Sequence, residues 1–100
     1  MEMKLALKVD DLDNVATIFA NDVTAGTTVE VRDKQGKTEQ IRLSADVPYG
    51  HKIALTDIAR GDKIMKYGEC IGAASTDIKK GDYVHVHNLE ALRGRGDIPG

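Results

Sequence analysis

The chain has 100 residues and a mass of 10.9 kDa, which is the size of one domain. A formal net charge of −2 and a pI near 5.9 exclude a strongly basic nucleic-acid-binding protein, and the one cysteine, Cys70, excludes a framework of intrachain disulfides. The apolar runs are too short for a membrane span and the N-terminus has no apolar signal region, so we expect a cytoplasmic protein that binds neither membrane nor nucleic acid.

Short β-strands are predicted along most of the chain. Val and Ile together number 16 and Thr adds 7, and such β-branched side chains suit a pleated sheet. Alternation in the first run predicts that one side of a strand carries Met3, Leu5, Leu7 and Val9, with Lys4, Ala6 and Lys8 between them. The same alternation recurs at Val29 and Val31, at Ile41 and Leu43, and at Val84 and Val86.

One β-hairpin and three short helical turns are also predicted. Residues 28–33 and 38–43 should pair around the polar turn Lys34-Gln35-Gly36-Lys37, in which the glycine can take a positive φ. The sequence carries no long amphipathic helix pattern. Three segments each have Ser, Thr or Asp where it would cap a single helical turn: Ala45–Val47, Thr56–Ala59 and Thr76–Lys79.

An internal repeat is the most informative pattern. The motif Asp-(Val/Ile)-x-x-Gly begins at Asp22, Asp46, Asp57 and Asp77, and the copies start 24, 11 and 20 residues apart, which is not a solenoid period. A strand-like run follows each copy. We expect the aspartate to cap a tight turn, the Val or Ile to pack into the core, and the glycine to take a backbone angle that other residues avoid.

These patterns predict an all-β fold with short helical turns. The strands are short, and the repeated turns join them by long crossing connections, which is typical of a compact, irregular β domain. We assign the domain to residues 1–92 and a flexible, glycine-rich C-terminal tail to residues 93–100.

Three histidines are the strongest candidates for chemistry. His85 and His87 are two residues apart on a predicted strand, so their side chains should share one face, with Cα atoms roughly 6.5–7 Å apart. Two imidazoles can converge on one metal ion but make an incomplete site, and His51 adds a third ligand only if the fold brings it near. The alternative is a polar strand face with solvated or partner-facing histidines.

Two other side chains are weaker candidates. Lys52, next to His51, could bind a carboxylate as a point charge or be a solvated surface lysine. Tyr67 could place a hydroxyl at a site, but a half-buried tyrosine before the turn glycine Gly68 explains the pattern equally well.

Six short segments occur in this order between residues 50 and 88: Gly50-His51-Lys52-Ile53-Ala54-Leu55, Asp57-Ile58-Ala59-Arg60-Gly61, Ile64-Met65-Lys66-Tyr67-Gly68, Ile71-Gly72-Ala73-Ala74, Asp77-Ile78-x-x-Gly81-Asp82 and Val84-His85-Val86-His87-Asn88. Together they resemble the SAF domain of the altronate/galactarate dehydratase family. The resemblance is ordered and ungapped over about residues 44–96 and weaker over residues 1–43. The resemblance implies a β-clip fold, which agrees with the short strands and turns.

The resemblance also implies an activity. In that family the domain is the N-terminal part of a long hydro-lyase or a separate small subunit beside a large one, and this chain resembles the small subunit. The chemistry is β-elimination from a 2-hydroxy acid, in which a proton next to the carboxylate is removed and water or sulfite leaves the next carbon. A divalent metal, Fe²⁺ or Mn²⁺, stabilises the resulting charge as a Lewis acid.

The resemblance assigns roles to particular residues. The catalytic candidates are His51, His85 and His87, and the metal-binding candidates are His85 and His87. The substrate-binding candidates are Lys52, Tyr67 and Asn88. Whether each histidine is a metal ligand or an acid–base group stays open. The large subunit should hold most of the catalytic apparatus and most of the metal site, so the chain alone should be inactive.

Several functions remain as alternatives. The leading interpretation is the small subunit of a sugar-acid hydro-lyase similar to altronate dehydratase. The alternatives are the alpha subunit of a sulfolactate sulfo-lyase, a non-catalytic SAF module that binds carbohydrate, and a purely structural subunit. An exposed edge strand or the histidine face could also support a homodimer when the large subunit is absent.

Overall fold

A computed structural model describes residues 4–91, and in that range the chain forms nine β-strands and no helix. The strands are β1 (Lys4–Lys8), β2 (Val15–Ile18), β3 (Thr28–Asp33), β4 (Thr38–Arg42), β5 (Lys52–Ala54), β6 (Lys63–Lys66), β7 (Glu69–Ala74), β8 (Tyr83–Val84) and β9 (Leu89–Ala91). The predicted all-β class is confirmed. Met3, the last residue of the predicted domain and the predicted tail lie outside the described residues. Residues 4–91 contain no helix long and apolar enough to cross a membrane.

The strands form two sheets. The larger sheet has the order β4-β3-β1-β2-β5-β8, and the smaller has the order β6-β7-β9. β1 pairs with β3 in parallel, whereas the other strand pairs are antiparallel. The predicted hairpin is confirmed as β3 and β4, with Gly36 at a φ of 87° in the turn. The Asp33 carboxylate accepts hydrogen bonds from the backbone N–H groups of Gln35 and Lys37, which fixes that turn.

The buried face of β1 carries the small side chain of Ala6 and not the larger apolar side chains. Ala6 is fully buried, whereas Leu5 and Leu7 are only half-buried and Val9 is exposed. In the sheet Ala6 lies between Val31 of β3 and Ile18 of β2, both buried, so the face that carries Ala6 is the inner one. Alternation gives the period of a strand but not which face is covered, and the neighbouring strands decide that here.

Two groups of buried apolar side chains form the interior. The first contains Ala6, Ala16, Ile18, Val23, Val29, Val31, Ile41, Leu43, Val47 and Ile53. The second contains Val15, Ala54, Ile58, Ile64, Ala74, Ile78 and Val84. Because successive side chains of a strand point to opposite faces, β2 and β5 each contribute to both groups. These two strands therefore connect the two cores.

The four repeats pair with one another. Val23 of the first copy and Val47 of the second form an isolated antiparallel bridge, and so do Ile58 of the third and Ile78 of the fourth. All four side chains are buried, which confirms their predicted packing into the core. The glycines of the four copies have positive φ angles of 88°, 84°, 90° and 90°, as expected: Gly26, Gly50, Gly61 and Gly81.

The three predicted helical turns are wrong. Ala45–Val47, Thr56–Ala59 and Thr76–Lys79 are bends that lead into the bridges. The N–H groups of Val47, Ile58 and Ile78 donate to carbonyls of the partner repeat, at 2.8–2.9 Å, instead of closing a local helical turn. Pairing over a long sequence distance thus satisfies the backbone groups that a helix would have used.

Three of the four repeat aspartates cap the turn of the partner copy and not their own, which corrects the prediction. Their Oδ1 atoms accept hydrogen bonds of 2.8–2.9 Å from backbone N–H groups three residues into the partner copy: Asp46 from Ala25, Asp57 from Lys80 and Asp77 from Arg60. The third and fourth copies therefore cap each other reciprocally.

Candidate functional site

The second and fourth repeats bring two aromatic side chains together. His51 follows Gly50 at the end of the second repeat and precedes β5, while Tyr83 opens β8 after the fourth. β5 and β8 are antiparallel, with Ile53 opposite Tyr83. As a result, the Tyr83 hydroxyl and His51 Nδ1 lie 2.7 Å apart and form a hydrogen bond.

All three histidines gather around Tyr83. The ring centroids of His51 and His85 are 4.7 Å apart, and the Tyr83 and His85 rings are nearly parallel, 5.6 Å apart with an angle of 7°. The His87 ring lies 5.4 Å from the Tyr83 ring. We call His51, Tyr83, His85 and His87 the histidine cluster. The fold thus joins residues that are up to 36 positions apart in the sequence.

The predicted strand through His85 and His87 is wrong. β8 ends at Val84, and the residues from His85 to Asn88 form a bend and turn. The two histidines therefore do not share a strand face, and both reach Tyr83 from the turn. The chain turns here because the Asn88 side chain forms hydrogen bonds with the backbone of Tyr83 and His85.

Asn88 is the residue that fixes this turn. Its side chain is 6% exposed. Its Oδ1 accepts a hydrogen bond from the His85 N–H at 2.9 Å, and its Nδ2 donates to the Tyr83 carbonyl at 2.9 Å. The side-chain amide thereby sets the position of both neighbouring rings. A role for Asn88 in orienting substrate stays a prediction.

The surroundings of the cluster carry positive charge. Burial lowers the pKa of His85 below its ordinary value of 6.5, and His51, Lys52 and His87 lower it further. Burial also lowers the pKa of Lys52, with repulsion from Lys66 as the second cause. A lowered pKa favours the neutral imidazole of His85, which can accept a proton or bind a metal ion.

Tyr67 lies outside the histidine cluster. It is in the turn between β6 and β7, with a φ of 56° and 54% of its surface exposed. The Lys66 Nζ lies 4.9 Å from the centre of its ring. Among residues 4–91, no ring contact joins Tyr67 to the histidines. A role for Tyr67 at the substrate stays a prediction.

A complete metal site is not formed by the described part of the chain. Within residues 4–91 there is no group of three or more His, Cys, Asp or Glu side chains arranged to hold a metal ion. His51 Nδ1 is hydrogen-bonded to Tyr83, which leaves Nε2 as the nitrogen of that imidazole open to a ligand. These donors alone do not complete a ligand set for the expected Fe²⁺ or Mn²⁺, so any such ion would need ligands from elsewhere.

The sequence analysis did not single out Tyr83. For His51, the sequence does hold a distinguishing feature, which is its position after the glycine of the second repeat. In the first, third and fourth repeats the residue after the glycine caps the turn by accepting a hydrogen bond from a backbone N–H three residues earlier: Thr27 from Thr24, Asp62 from Ala59 and Asp82 from Lys79. The second repeat has Pro48 at the donor position, and proline has no N–H. His51 occupies the capping position where no cap is needed, so its side chain is available for another role.

The fold and the sequence define the chain as an SAF domain. The family described as "Altronate/galactarate dehydratase SAF domain" matches residues 4–92, nearly the whole chain. The chain belongs to this family, as its motifs indicated.

Two kinds of relative carry the same domain. The altronate dehydratase of Escherichia coli (strain K12) is 46% identical over 82 residues, which cover 82% of this chain but only 15% of that enzyme. The (2R)-sulfolactate sulfo-lyase subunit alpha of Chromohalobacter salexigens is 34% identical over 94 residues, 91% of this chain and 99% of that subunit. The chain is thus similar to one small part of the dehydratase and to nearly all of the sulfo-lyase subunit.

Proposed function

We propose that the chain is the small subunit of a sugar-acid hydro-lyase similar to altronate dehydratase, and that it contributes the histidine cluster to an active site shared with a large subunit. The observation that carries the proposal is the convergence of His51, His85 and His87 on Tyr83. The homologous region of the Escherichia coli altronate dehydratase is only 15% of that enzyme. This small share supports the proposal that a large subunit holds the remaining catalytic apparatus, and the proposal includes a cytoplasmic setting and inactivity of this chain alone.

The cluster supplies the proton transfers that β-elimination needs. A proton must leave the carbon next to a carboxylate, and the departing oxygen must be protonated. In His51 the hydrogen bond with Tyr83 engages Nδ1, which leaves Nε2 to exchange a proton with the substrate. The surroundings of His85 lower the pKa of its imidazole, which favours the neutral form that can accept a proton. Which histidine is the acid and which the base is decided by the substrate's orientation.

The metal belongs mainly to the large subunit in this proposal. A bound Fe²⁺ or Mn²⁺ would stabilise negative charge on the substrate carboxylate as a Lewis acid. From this chain we propose His85 and His87 as metal ligands, so that the chain supplies at most two ligands of the complete set. Lys52, Tyr67 and Asn88 are proposed to orient the substrate.

The test is co-expression with a large dehydratase subunit, followed by a dehydration assay on D-altronate with added Fe²⁺ or Mn²⁺. We expect activity only when both chains are present. His51→Ala, His85→Ala and His87→Ala should each lower kcat by at least about 100-fold. Val86→Ala is the matched control, because Val86 lies in the same turn with 77% of its surface exposed.

Two outcomes would contradict this proposal. Full activity of the two-chain enzyme with both His85→Ala and His87→Ala would show that the cluster has a structural role. Activity of the large subunit alone, at the rate of the complex, would show that the small chain contributes no catalytic group.

A sulfo-lyase is the second candidate. It is favoured by the similarity to nearly the full length of the Chromohalobacter salexigens protein, which is named (2R)-sulfolactate sulfo-lyase subunit alpha. The same complex assayed for sulfite release distinguishes the two. Sulfite release without dehydration of altronate would replace the leading candidate with this one. Failure to form any complex, with no activity on either substrate, would favour a non-catalytic binding module.

A further inference from the structure

The outer face of β1 carries the larger apolar side chains of that strand. Leu5 and Leu7 are half-buried and Val9 is exposed, whereas Ala6 on the opposite face is fully buried. Leu5, Leu7 and Val9 share one face because they are two residues apart. Phe19 joins them from the end of β2, since its N–H donates to the Leu5 carbonyl at 2.9 Å and continues the antiparallel pairing of the two strands. We call Leu5, Leu7, Val9 and Phe19 the outer strip.

The outer strip belongs to neither core. Within residues 4–91, none of its four side chains is in either group of buried residues or among the partly buried side chains packed against them. The Phe19 side chain is 40% exposed, and its aromatic neighbour is the exposed Tyr49, edge to face with ring centroids 6.0 Å apart. Contiguous apolar side chains on the surface of a folded domain are typical of a contact with another protein. The outer strip therefore indicates a protein partner.

The register of the sheet places the outer strip next to the candidate site. One row on this face consists of Arg32, Leu7, Thr17 and Lys52, on β3, β1, β2 and β5 in that order. Lys52 is a candidate for substrate binding and is next in sequence to His51. Neighbouring strands are roughly 4.8 Å apart, so a body that covers Leu7 lies about 10 Å from the backbone of Lys52. The large subunit of the proposed function has to reach the same residue to complete the site.

The charges that border the outer strip disfavour a second copy of this chain as the partner. Glu30, which lies beside Leu5 on this face, is already paired with Arg32 at 2.8 Å, and the ion pairs within residues 4–91 include none for Lys52. A two-fold axis between two packed strips either exchanges their borders or keeps them in place. It would therefore set Lys52 against the Arg32 or the Lys52 of the other copy, and like charges repel. A different protein can present an apolar surface without a cation at that border.

We propose that the outer strip is the docking surface for the large subunit, whose apolar side chains pack on Leu7 and Phe19. This rests on the proposed function in that the partner is the subunit that completes the shared site. In the Escherichia coli altronate dehydratase the region similar to this chain is 15% of the enzyme, so a much larger body accompanies the domain there. Docking on the outer strip brings that body to Lys52, beside the histidine cluster, and removes the apolar side chains from water.

The first test measures the affinity of the two purified chains for each other by calorimetry, without substrate. Phe19→Lys should weaken the complex at least about tenfold, because it places a charge in an apolar contact, and Phe19→Leu should keep the affinity within about threefold. Gln40→Lys is the matched control. Gln40 is exposed and lies opposite Glu30 on β4, on the same face of the sheet but outside the outer strip, and its change should alter the affinity less than about twofold. Circular dichroism of each isolated variant establishes that the fold is kept.

The isolated chain distinguishes the other possible occupants of the outer strip. Sedimentation over a range of concentrations should show a monomer. A dimer that Phe19→Lys dissociates would assign the strip to a second copy and overturn the proposal. Nuclear Overhauser contacts between Phe19 and residues 92–100 would assign the strip to the C-terminal end of the same chain, with the same consequence.

The second test separates docking from catalysis in the two-chain enzyme. Phe19→Lys should raise about tenfold the concentration of large subunit that gives half-maximal activity, while kcat at saturation changes less than about twofold. A complex that Phe19→Lys weakens but that is inactive on altronate and on sulfolactate would overturn the proposed function and keep the docking surface. An active complex that forms with unchanged affinity in Phe19→Lys and in Leu7→Gln would overturn the docking surface and keep the proposed function.

Discussion

At the scale of single residues, the central feature is one hydrogen bond. The Tyr83 hydroxyl and His51 Nδ1 are 2.7 Å apart, and Tyr83 also stacks against His85. A tyrosine at the start of a short strand is easily interpreted as a core residue, and Tyr83 does pack against the first core. Its contact with His51 becomes visible only once β5 and β8 are paired. The hydrogen bond positions the His51 imidazole by constraining its orientation and tautomer.

Removing the Tyr83 hydroxyl should alter the tautomer balance of the His51 imidazole while leaving the fold intact. In Tyr83→Phe we expect the balance of the two His51 tautomers to shift, because Nδ1 loses its fixed partner, and kcat/KM of the two-chain enzyme to fall about tenfold. Imidazole nitrogen NMR shifts of the isolated chain measure the tautomers. Tyr49→Phe is the control, since Tyr49 is exposed and packs on Phe19. An unchanged His51 spectrum in Tyr83→Phe would contradict the positioning role.

His85 should titrate below 6.5 in the metal-free chain. Burial is the largest cause of its lowered pKa, and Lys52 is one of three neighbouring groups, with His51 and His87, that add to it. Lys52→Met should therefore raise the His85 pKa only part of the way, and Lys34→Met, at the exposed hairpin turn, should leave it unchanged. Proton NMR titration in the presence of a chelator measures each value. A His85 pKa at or above 6.5 in the unaltered chain would contradict the description of its surroundings.

The direction of the stability change follows from this shift. Between the folded and unfolded pKa values of His85, the unfolded chain binds more protons than the folded chain. The free energy of unfolding should therefore fall as the pH falls from 6.5 through that window. His85→Gln should weaken this part of the pH dependence, as measured by urea unfolding at several pH values.

At the scale of elements, the repeated turns organise the chain. Four copies of one short motif pair as two couples, and in three of the four the aspartate caps the partner copy. The motif itself, its buried Val or Ile and its glycine angle were all predictable, because these depend on neighbouring residues. The pairing was not, because it joins segments up to 24 residues apart and no local pattern specifies it. The three helical turns were predicted wrongly for this reason.

Gly81 should tolerate alanine less well than Gly61. Both have a φ of 90°, so alanine at either is strained by about 1–2 kcal/mol. A Cβ at Gly81 would lie 2.4 Å from the Arg42 carbonyl oxygen, whereas at Gly61 it would meet no atom within 4 Å. Gly81→Ala should therefore lower the free energy of unfolding by about 1–3 kcal/mol more than Gly61→Ala. Urea unfolding of both variants tests this, and equal losses would contradict the close approach of Gly81 to β4.

At the scale of the whole molecule, two cores are connected through two strands. Ile53 lies in the first core and Ala54 in the second, and β2 divides in the same way between Val15 and Ala16. Such a division means that neither core is complete without strands of the other. The β-branched composition predicted an all-β fold, and the local turn chemistry predicted the β3–β4 hairpin. The sheet order, the inner face of β1 and the meeting of the histidines depend on contacts between distant segments, so the sequence pattern did not contain them.

The domain should unfold in one transition. Ile18→Val in the first core and Ile64→Val in the second should each lower the free energy of unfolding by about 0.5–1.5 kcal/mol. Both should shift the same transition, because β2 and β5 belong to both cores. Tyrosine fluorescence and far-UV circular dichroism measured on the same urea series test this. Two separated transitions, or a variant that moves only one signal, would contradict the connection between the cores.

The absence of an N–H at Pro48 also bears on how this site can change over evolutionary time. Three of the four positions that follow a repeat glycine, Thr27, Asp62 and Asp82, hold a turn together, so a change there weakens the fold. The side chain at position 51 makes no such capping hydrogen bond, because Pro48 has no N–H to donate. That side chain can be exchanged under selection for a new substrate or a new reaction while the scaffold keeps its stability. Pro48 thereby allows the residue at position 51 to change in evolution without loss of the hydrogen bonds that stabilise the repeated turns.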